Sequence, residues 1–231
     1  MTGATVLEPE AAYALWAAHY PARAHNPVMQ AEERAMLAML PADLRGQSVL
    51  DAGCGSGRYL LHAWRCGAAR LTGVDLSAPM LARAETELAP VRAQAELILS
   101  VGTLTSLPVP DGRADVAVCG LAVGHVTDLA GALAELGRAT RPGGTVLCSD
   151  FHPIGHALGW LRDFRIDGRR YAARHTPHLY SHWHRACAAA GLVIEDVREP
   201  MLDPADIPPG ARFDPAALAV PVALVFRLQR R

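Results

Sequence analysis

Charge of one sign, paired cysteines and long apolar runs are what this sequence lacks. Its 22 basic and 23 acidic residues leave a formal charge of −1, which gives no long-range attraction for a polyanion. No Lys/Arg run is longer than the pairs Arg169–Arg170 and Arg230–Arg231, so nucleic acid is not expected as a partner. The five cysteines, Cys54, Cys66, Cys119, Cys148 and Cys187, are an odd set without a Cys-x-x-Cys pair. Most lie in apolar surroundings, where buried free thiols are common, and a reducing compartment follows. Nowhere do about 18 apolar residues run uninterrupted, the length that a membrane-spanning helix needs. The start, "MTGATVLEPEAAYALWAAHY", lacks the basic opening and continuous apolar stretch of a signal peptide. The expectation is a soluble, cytoplasmic protein with no membrane partner. Internal repeats and low-complexity segments are also missing, and 231 residues suit one large domain, or one with an insertion.

What is present is alternation. Two helical patterns open the chain, at 9–19 and 28–40, the second carrying Met29, Met36, Leu37 and Leu40 at helical spacing before Pro41 stops it. From about residue 46, short apolar runs exchange with longer helical ones. The pattern predicts strands at 48–51, 70–74, 95–100, 114–119 and 144–149, and helices at 57–66, 78–89 and 128–139. Such alternation specifies an α/β fold, doubly wound, with a mostly parallel sheet. Residues 151–176 break the rhythm with His, Arg and aromatics, which predicts an insertion near the carboxyl ends of the strands, where open α/β sheets bind ligands. A helix at 177–190, a strand at 192–198 and the Pro-rich loop "DPADIPPGARFDP" lead to a last apolar run, "LAVPVALVFRL". Pro221 inside that run predicts a sheet edge or a bulge.

The stretch "VLDAGCGSGRYLL" (49–61) carries the first chemical signal. Glycines at a strand-to-helix turn let the main chain approach a ligand and present N–H groups at a helix start. A nicotinamide or flavin fingerprint requires G-x-G-x-x-G, whereas here the third position is Arg58 and the order is G-x-G-x-G. Asp51 stands at the mouth of the loop. Its carboxylate would repel a diphosphate and suits a ligand with ammonium or sulfonium charge. The next strand ends in "GVDLS", where Asp75 is placed to accept from both ribose hydroxyls. Two acids in this order describe a cationic nucleoside, and S-adenosylmethionine is that molecule.

With "VLDAGCGSG", "GVDLSAPML", "VGTLTSLPVPDGRADVAV", "GLAVGHVTD" and "ELGRATRPGGTVLCSDF" in register, residues 46–150 resemble the class I S-adenosylmethionine-dependent methyltransferases, in their small-molecule branch. The resemblance implies a seven-stranded sheet with an N-terminal helical segment and, after the fifth strand, an insertion that forms a cap. It divides the chain into an N-terminal helical cap (1–45), a cofactor-binding core (46–150), an acceptor-binding insertion and helix (151–190) and C-terminal strands that complete the sheet (191–231). It also implies that Asp51 and the Gly53, Gly55, Gly57 turn hold the methionine part of the cofactor, with Asp75 on the ribose and Leu76 and Met80 beside ribose and adenine. Thr103 stands where the family usually has an Asp that accepts from the adenine amino group; a hydroxyl still accepts one hydrogen bond, so that contact is weakened. Leu104 follows with a backbone N–H toward the ring, and Gly120 lines the methionine end. Tyr20 matches by position an aromatic that closes over the cofactor, although an aromatic packing between helix and core explains it equally.

Methyl transfer asks the protein to hold a nucleophile in line with the methyl carbon at roughly 3 to 3.5 Å and to exclude water. A hydroxyl, acidic N–H or ring-carbon acceptor also wants a base. Six of the ten histidines lie between 152 and 184, and His125 and His152 follow the fourth and fifth strands directly. His125, His152, Tyr171 and His178 are the candidates for acceptor orientation or proton removal; bracing of a loop is the competing role for His125. His152/His156 and His178/His182 have helical-turn spacing, but Pro153 and Gly155 interrupt the first pair and no Glu completes H-E-x-x-H, so no metal is expected. Trp160, Phe164, Tyr171 and Trp183 could wall an acceptor pocket, and Arg162, Arg165, Arg169 and Arg170 could bind a carboxylate or phosphate; a packed core and a solvated face are the plainer readings. The expected activity is methylation of an aromatic or heterocyclic metabolite, in bacterial secondary metabolism by analogy of composition, with a homodimer left open. Methylation of RNA or protein, and a cofactor-binding module without transfer activity, are the alternatives.

Overall fold

Short runs such as Val49–Leu50 and Val116–Val118 alternate with amphipathic stretches, and each run becomes a strand because only a sheet covered on both faces buries it completely. The computed structural model describes residues 3–210 and 214–231. In chain order the elements are β1 (Thr5–Leu7), α1 (Pro9–Trp16), α2 (Pro27–Met39), β2 (Ser48–Ala52), α3 (Arg58–Arg65), β3 (Arg70–Asp75), α4 (Ala78–Glu87), α5 (Ala89–Arg92), β4 (Glu96–Val101) and β5 (Ala114–Gly120). They continue with α6 (Leu129–Ala139), β6 (Thr140–Phe151), α7 (Pro153–Ala157), β7 (Arg162–Ile166), β8 (Arg169–Ala173), α8 (Tyr180–Ala189), β9 (Leu192–Arg198) and β10 (Ala223–Arg230).

Seven strands form the main sheet in the order β4-β3-β2-β5-β6-β10-β9. The first five are parallel, while β10 runs antiparallel between β6 and β9. This is the α/β, doubly wound, mostly parallel sheet that the alternation predicts. Each face carries its own core: Met36, Leu60, Leu81 and Leu147 on one side, Leu133, Leu136, Trp183 and Phe226 on the other. Side-chain caps fix the helix starts, with Asn26 accepting from Met29 N at 2.9 Å and Asp128 from Gly131 N at 2.8 Å, each satisfying an otherwise orphaned N–H.

Three features refine or correct the expectations. The insertion at 151–176 has regular structure to which no strand was assigned from sequence: β7 and β8 form a hairpin across the two-residue turn Asp167–Gly168. Both turn residues have positive φ, 48° and 76°, the geometry that an Asp-Gly dipeptide favours because it matches the twist of the flanking strands. β1 joins the hairpin in parallel, Thr5 opposite Tyr171, so the N-terminal segment and the insertion share one three-stranded sheet. Second, the final strand begins at Ala223, beyond Pro221, and lies inside the sheet rather than at its edge; its register shift against β9 falls at Arg227/Leu228. Third, the first helix ends at Trp16 and continues as a 3-10 turn over Ala17–His19, and α8 starts at Tyr180 rather than near 177. Of the Pro-rich loop, residues 211–213 lie outside the described residues. Among the described residues, no helix is long and apolar enough to cross a membrane.

Candidate active site

The loop after β2 is drawn against β3: Gly53 N and Cys54 N both donate to Val74 O, at 2.7 and 3.0 Å. A Cβ on Gly53 would stand 2.6 Å from Ala122 Cβ, so glycine is required for the chain to pass. Asp75 knits the next loop to this one, its Oδ2 accepting from Gly55 N at 2.7 Å and its Oδ1 from Ser77 N at 2.8 Å. Burial raises the Asp75 pKa, opposed by those N–H donors. Asp51 is 1% exposed and its Oδ2 is buried without a hydrogen-bond partner. Burial pushes its carboxyl up to about 7, with Arg58 opposing and Asp75 and Glu32 adding. An acceptor left unpaired in such a place costs free energy unless a ligand donates to it.

These groups face a cavity of about 270 Å³ along the carboxyl edge of the sheet. Sheet order assigns its ends. Leu76, Met80, Thr103 and Leu104 lie over β3 and β4, Asp51 over β2, Gly120 and His125 beyond β5, and Arg162 against Phe151 of β6. With strands about 4.8 Å apart, β3 to β6 spans roughly 14 Å, room for a nucleoside at one end and a second molecule at the other.

The second end has a directed hydrogen-bond chain. His125 Nδ1 lies 2.9 Å from Arg174 O, and a carbonyl only accepts, so Nδ1 carries the proton and Nε2 is the acceptor of the neutral ring. Tyr13 Oη, 2.9 Å from Nε2, therefore donates to it. Burial and then the charge of Arg162 hold the His125 pKa well below the usual imidazole value, while burial drives the Tyr13 phenol upward. Arg162 Nη1 donates to Leu121 O at 2.6 Å, and its guanidinium lies over the rings of Phe151 at 4.9 Å and Tyr13 at 5.5 Å. Burial works against that charge, but Tyr13, Tyr20 and Asp150 hold its pKa above the ordinary arginine value. No carboxylate of the described residues makes an ion pair with it.

Of the residues that the sequence singles out, Tyr20, Asp51, Gly53, Gly55, Asp75, Leu76, Met80, Thr103, Leu104, Gly120 and His125 all line this cavity. Gly57 does not: it is the left-handed N-cap of α3, φ 90°, and a Cβ there would meet Leu88 at 2.7 Å, so it serves helix packing. His152, Tyr171 and His178 are also elsewhere. His152 caps α7 by accepting from Ile154 N at 3.2 Å and pairs with Glu199 at 3.0 Å. Tyr171 stacks on Phe164 in the three-stranded sheet. His178 Nε2 donates to Val126 O at 2.9 Å and so braces the loop that carries His125. Among the described residues no three His, Cys, Asp or Glu side chains converge as a metal-holding group.

The expected aromatic walls are packing instead: Trp183 stacks on Phe226 at 4.4 Å, Phe164 on Trp16 at 4.4 Å, and Trp160 donates to Asp214 at 2.9 Å. Of the four arginines, Arg162 alone lines the cavity; Arg170 pairs with Asp163 at 2.6 Å. Sequence reasoning missed Tyr13, for which the periodicity of α1 offered a face but no partner. It also missed Glu32, 0% exposed, whose Oε1 accepts from Tyr59 Oη at 2.6 Å and Ser149 Oγ at 2.5 Å while Oε2 meets Arg58 at 3.0 Å. Arg58 and Tyr59 line the cavity beneath Gly120, where a Cβ would penetrate the Tyr59 ring.

Comparison with known proteins agrees with this geometry. The Methyltransferase domain family matches residues 50–148. The malonyl-[acyl-carrier protein] O-methyltransferase of Pseudescherichia vulneris is 36% identical over 152 residues, 64% of this chain and 58% of that protein; the chain thus spans a little over half the length of this relative. An S-adenosylmethionine-dependent methyltransferase structure from Mesorhizobium loti superposes with TM-score 0.67 at 28% identity, over 87% of this chain and 98% of that one. The [4+2]-cyclase SpnF, 19% identical, shares the fold with TM-score 0.70 over 99% of both chains. Residues 50–148 thus match the Methyltransferase domain family, and the fold is that of the class I S-adenosylmethionine-dependent methyltransferases. Its residues fit the cofactor of that family: the unpartnered oxygen of Asp51 awaits a cationic donor, and Gly53 and Gly55 leave the floor open at positive φ.

Proposed function

We propose that this chain transfers a methyl group from S-adenosylmethionine to a small acceptor, free or carried on a protein. The observation that carries the reading is the buried, unpartnered Oδ2 of Asp51 at the cavity wall. It supplies the acceptor that an amino acid's ammonium group needs, and a diphosphate would be repelled there. Asp75 would take the ribose, with Leu76 and Met80 packing beside it. Thr103, exposed and within 3.4 Å of Thr105 Oγ1, would receive the adenine edge, with Leu104 beneath the ring. Gly57, in this reading, contributes only by setting α3 against Leu88. Once bound, the cofactor supplies a methyl group on a cationic sulfur, already a good leaving group.

The protein's part is orientation and exclusion of water. Tyr13, Tyr20 and Arg162 close the cavity over the end beyond β5, with the N-terminal segment and the β7–β8 hairpin tied together through β1. Two tyrosine rings there support a flat acceptor, an aromatic or heterocyclic metabolite; the relatives' printed name supports an acyl group carried on a carrier protein. His152, Tyr171 and His178 act through structure in this proposal, His178 by holding the His125 loop. Calorimetric titration tests the reading. S-adenosylhomocysteine should bind with one-to-one stoichiometry while NAD does not, and Asp51→Ala should weaken it at least tenfold; NAD binding in its place, or an unaffected variant, would overturn the assignment.

A further inference from the structure

Given the proposed methyl transfer, the far end of the cavity bears on the acceptor's chemical class. A guanidinium is costly to shelter from bulk water without an anion beside it. Arg162 is half-buried, its open side facing the cavity, with one hydrogen bond to a backbone carbonyl and aromatic faces around it. The nearby acid, Asp150, favours the charge from a distance but makes no ion pair with it: its Oδ1 lies 2.9 Å from His175 Nε2 and accepts from Phe151 N at 2.8 Å, and its buried Oδ2 has no hydrogen-bond partner. The cavity therefore has a carboxylate oxygen without a hydrogen-bond partner at Asp51, at the end of β2, and a guanidinium without an ion pair at Arg162, at the start of β7 and against Phe151 of β6. Asp51 matches the positive methyl donor. Arg162 is left for the other molecule.

We infer that Arg162 is the recognition residue for an acceptor carboxylate and that the reaction is O-methylation of a carboxylic acid. A guanidinium fork matches a carboxylate in two parallel hydrogen bonds, and the flanking Tyr13 and Phe151 rings would hold the rest of an acyl or aryl acid. One carboxylate oxygen forms its bond to the methyl carbon as the carbon–sulfur bond breaks and its electron pair stays on sulfur. The anion and the sulfonium become a neutral ester and a thioether, and no proton has to leave. That balance accounts for His125. Its Nε2 lone pair is filled by the Tyr13 hydroxyl and its Nδ1 proton is fixed on Arg174 O, so it is a positioning residue that orients Tyr13 and not a base.

The experiment is a thermal-shift screen on protein saturated with S-adenosylhomocysteine, using matched pairs of carboxylic acid and primary amide: benzoate with benzamide, octanoate with octanamide, and monoethyl malonate with ethyl malonamate. The acids should stabilise the complex and the amides should not. Arg162→Gln, which keeps an N–H donor for Leu121 O, should lose the response to acids at least tenfold in apparent Kd, while Arg162→Lys loses less. S-adenosylhomocysteine and 5′-methylthioadenosine are titrated into both variants. If Arg162 serves the acceptor, neither affinity changes. If it holds the cofactor's own carboxylate instead, S-adenosylhomocysteine weakens and methylthioadenosine does not, and the inference fails. It fails equally if amides bind as well as acids, if no acid binds, or if the acid response survives in Arg162→Gln. Loss of S-adenosylhomocysteine binding by the unaltered protein would instead sink the methyl-transfer reading on which this one stands.

Discussion

Asp51 shows how a single residue can be costly to the fold and, in the proposed role, useful to ligand binding. Burial raises its carboxyl to about 7, above the unfolded value of about 3.9. The folded protein thus holds this proton more tightly than the unfolded chain does. The contribution is fully present below the unfolded pKa and is lost as pH rises through about 7. A cationic ligand reverses the preference, because it needs the carboxylate. Affinity for S-adenosylhomocysteine should therefore be highest above pH 7 and fall by up to tenfold per unit below it, if one proton must leave. In Asp51→Asn the dependence should flatten, and the empty variant should melt higher than the parent at alkaline pH. Titrations across that range check both, and a pH-independent parent affinity would detach Asp51 from the ligand. Gly57 makes a conformational case at the same scale. Ala there must adopt φ near 90° and meet Leu88 at 2.7 Å, so Gly57→Ala should cost about 1–3 kcal/mol in urea denaturation with little change in the cofactor's binding enthalpy.

Between elements, one buried carboxylate does the joining. Glu32 of α2 receives Tyr59 from α3 and Ser149 from β6, and meets Arg58, while Arg58 also pairs with Glu33 at 3.1 Å. Tyr59 fits only because Gly120 has no side chain. Removing the acid strands two hydroxyls and leaves the buried Arg58 with Glu33 as its one remaining partner, so Glu32→Ala should destabilise the fold by about 3 kcal/mol. Glu32→Gln, which keeps an acceptor, should cost less. Equilibrium denaturation separates the two, and equal losses would show that packing of α2, not the charge network, holds the helix down. The β7–β8 hairpin is a second joint. Its Asp167–Gly168 turn was readable from sequence by the same rule that explains it, whereas its pairing with β1, more than 160 residues away, was not.

For the molecule as a whole, the ligand is a structural component. A cofactor that binds only the folded state at a hundredfold excess over its Kd adds about 2.7 kcal/mol, a rise in Tm of roughly 5–11 °C for a chain of this size. Asp75→Ala should remove most of that rise, because it loses the proposed ribose acceptor and also releases Gly55 N and Ser77 N. A shift as large as the parent's would take Asp75 out of the site. The end of the cavity proposed for the acceptor is lined by chain from the N-terminus, through Tyr13, and from the β7–β8 hairpin, through Arg162.

Sequence by itself determined the layered α/β sheet and the grouping of the residues proposed to hold the cofactor, because both depend on local order. Alternating runs make strands and helices, and loops at the carboxyl ends of adjacent strands bring Asp51, Gly53, Gly55 and Asp75 to one edge. Only the tertiary structure sorted the residues at the other end of the cavity, the end proposed for the acceptor. Among four arginines in the insertion, nothing local distinguishes Arg162 from Arg165, Arg169 and Arg170; the pleat of β7 turns Arg162 inward onto Phe151 and Leu121 O. Among the histidines, likewise, long-range partners set each role: Tyr13 and Arg174 O for His125, Glu199 for His152, Val126 O for His178. A side chain's chemistry is written in its identity, but its charge state and direction come from neighbours that the fold delivers from far along the chain.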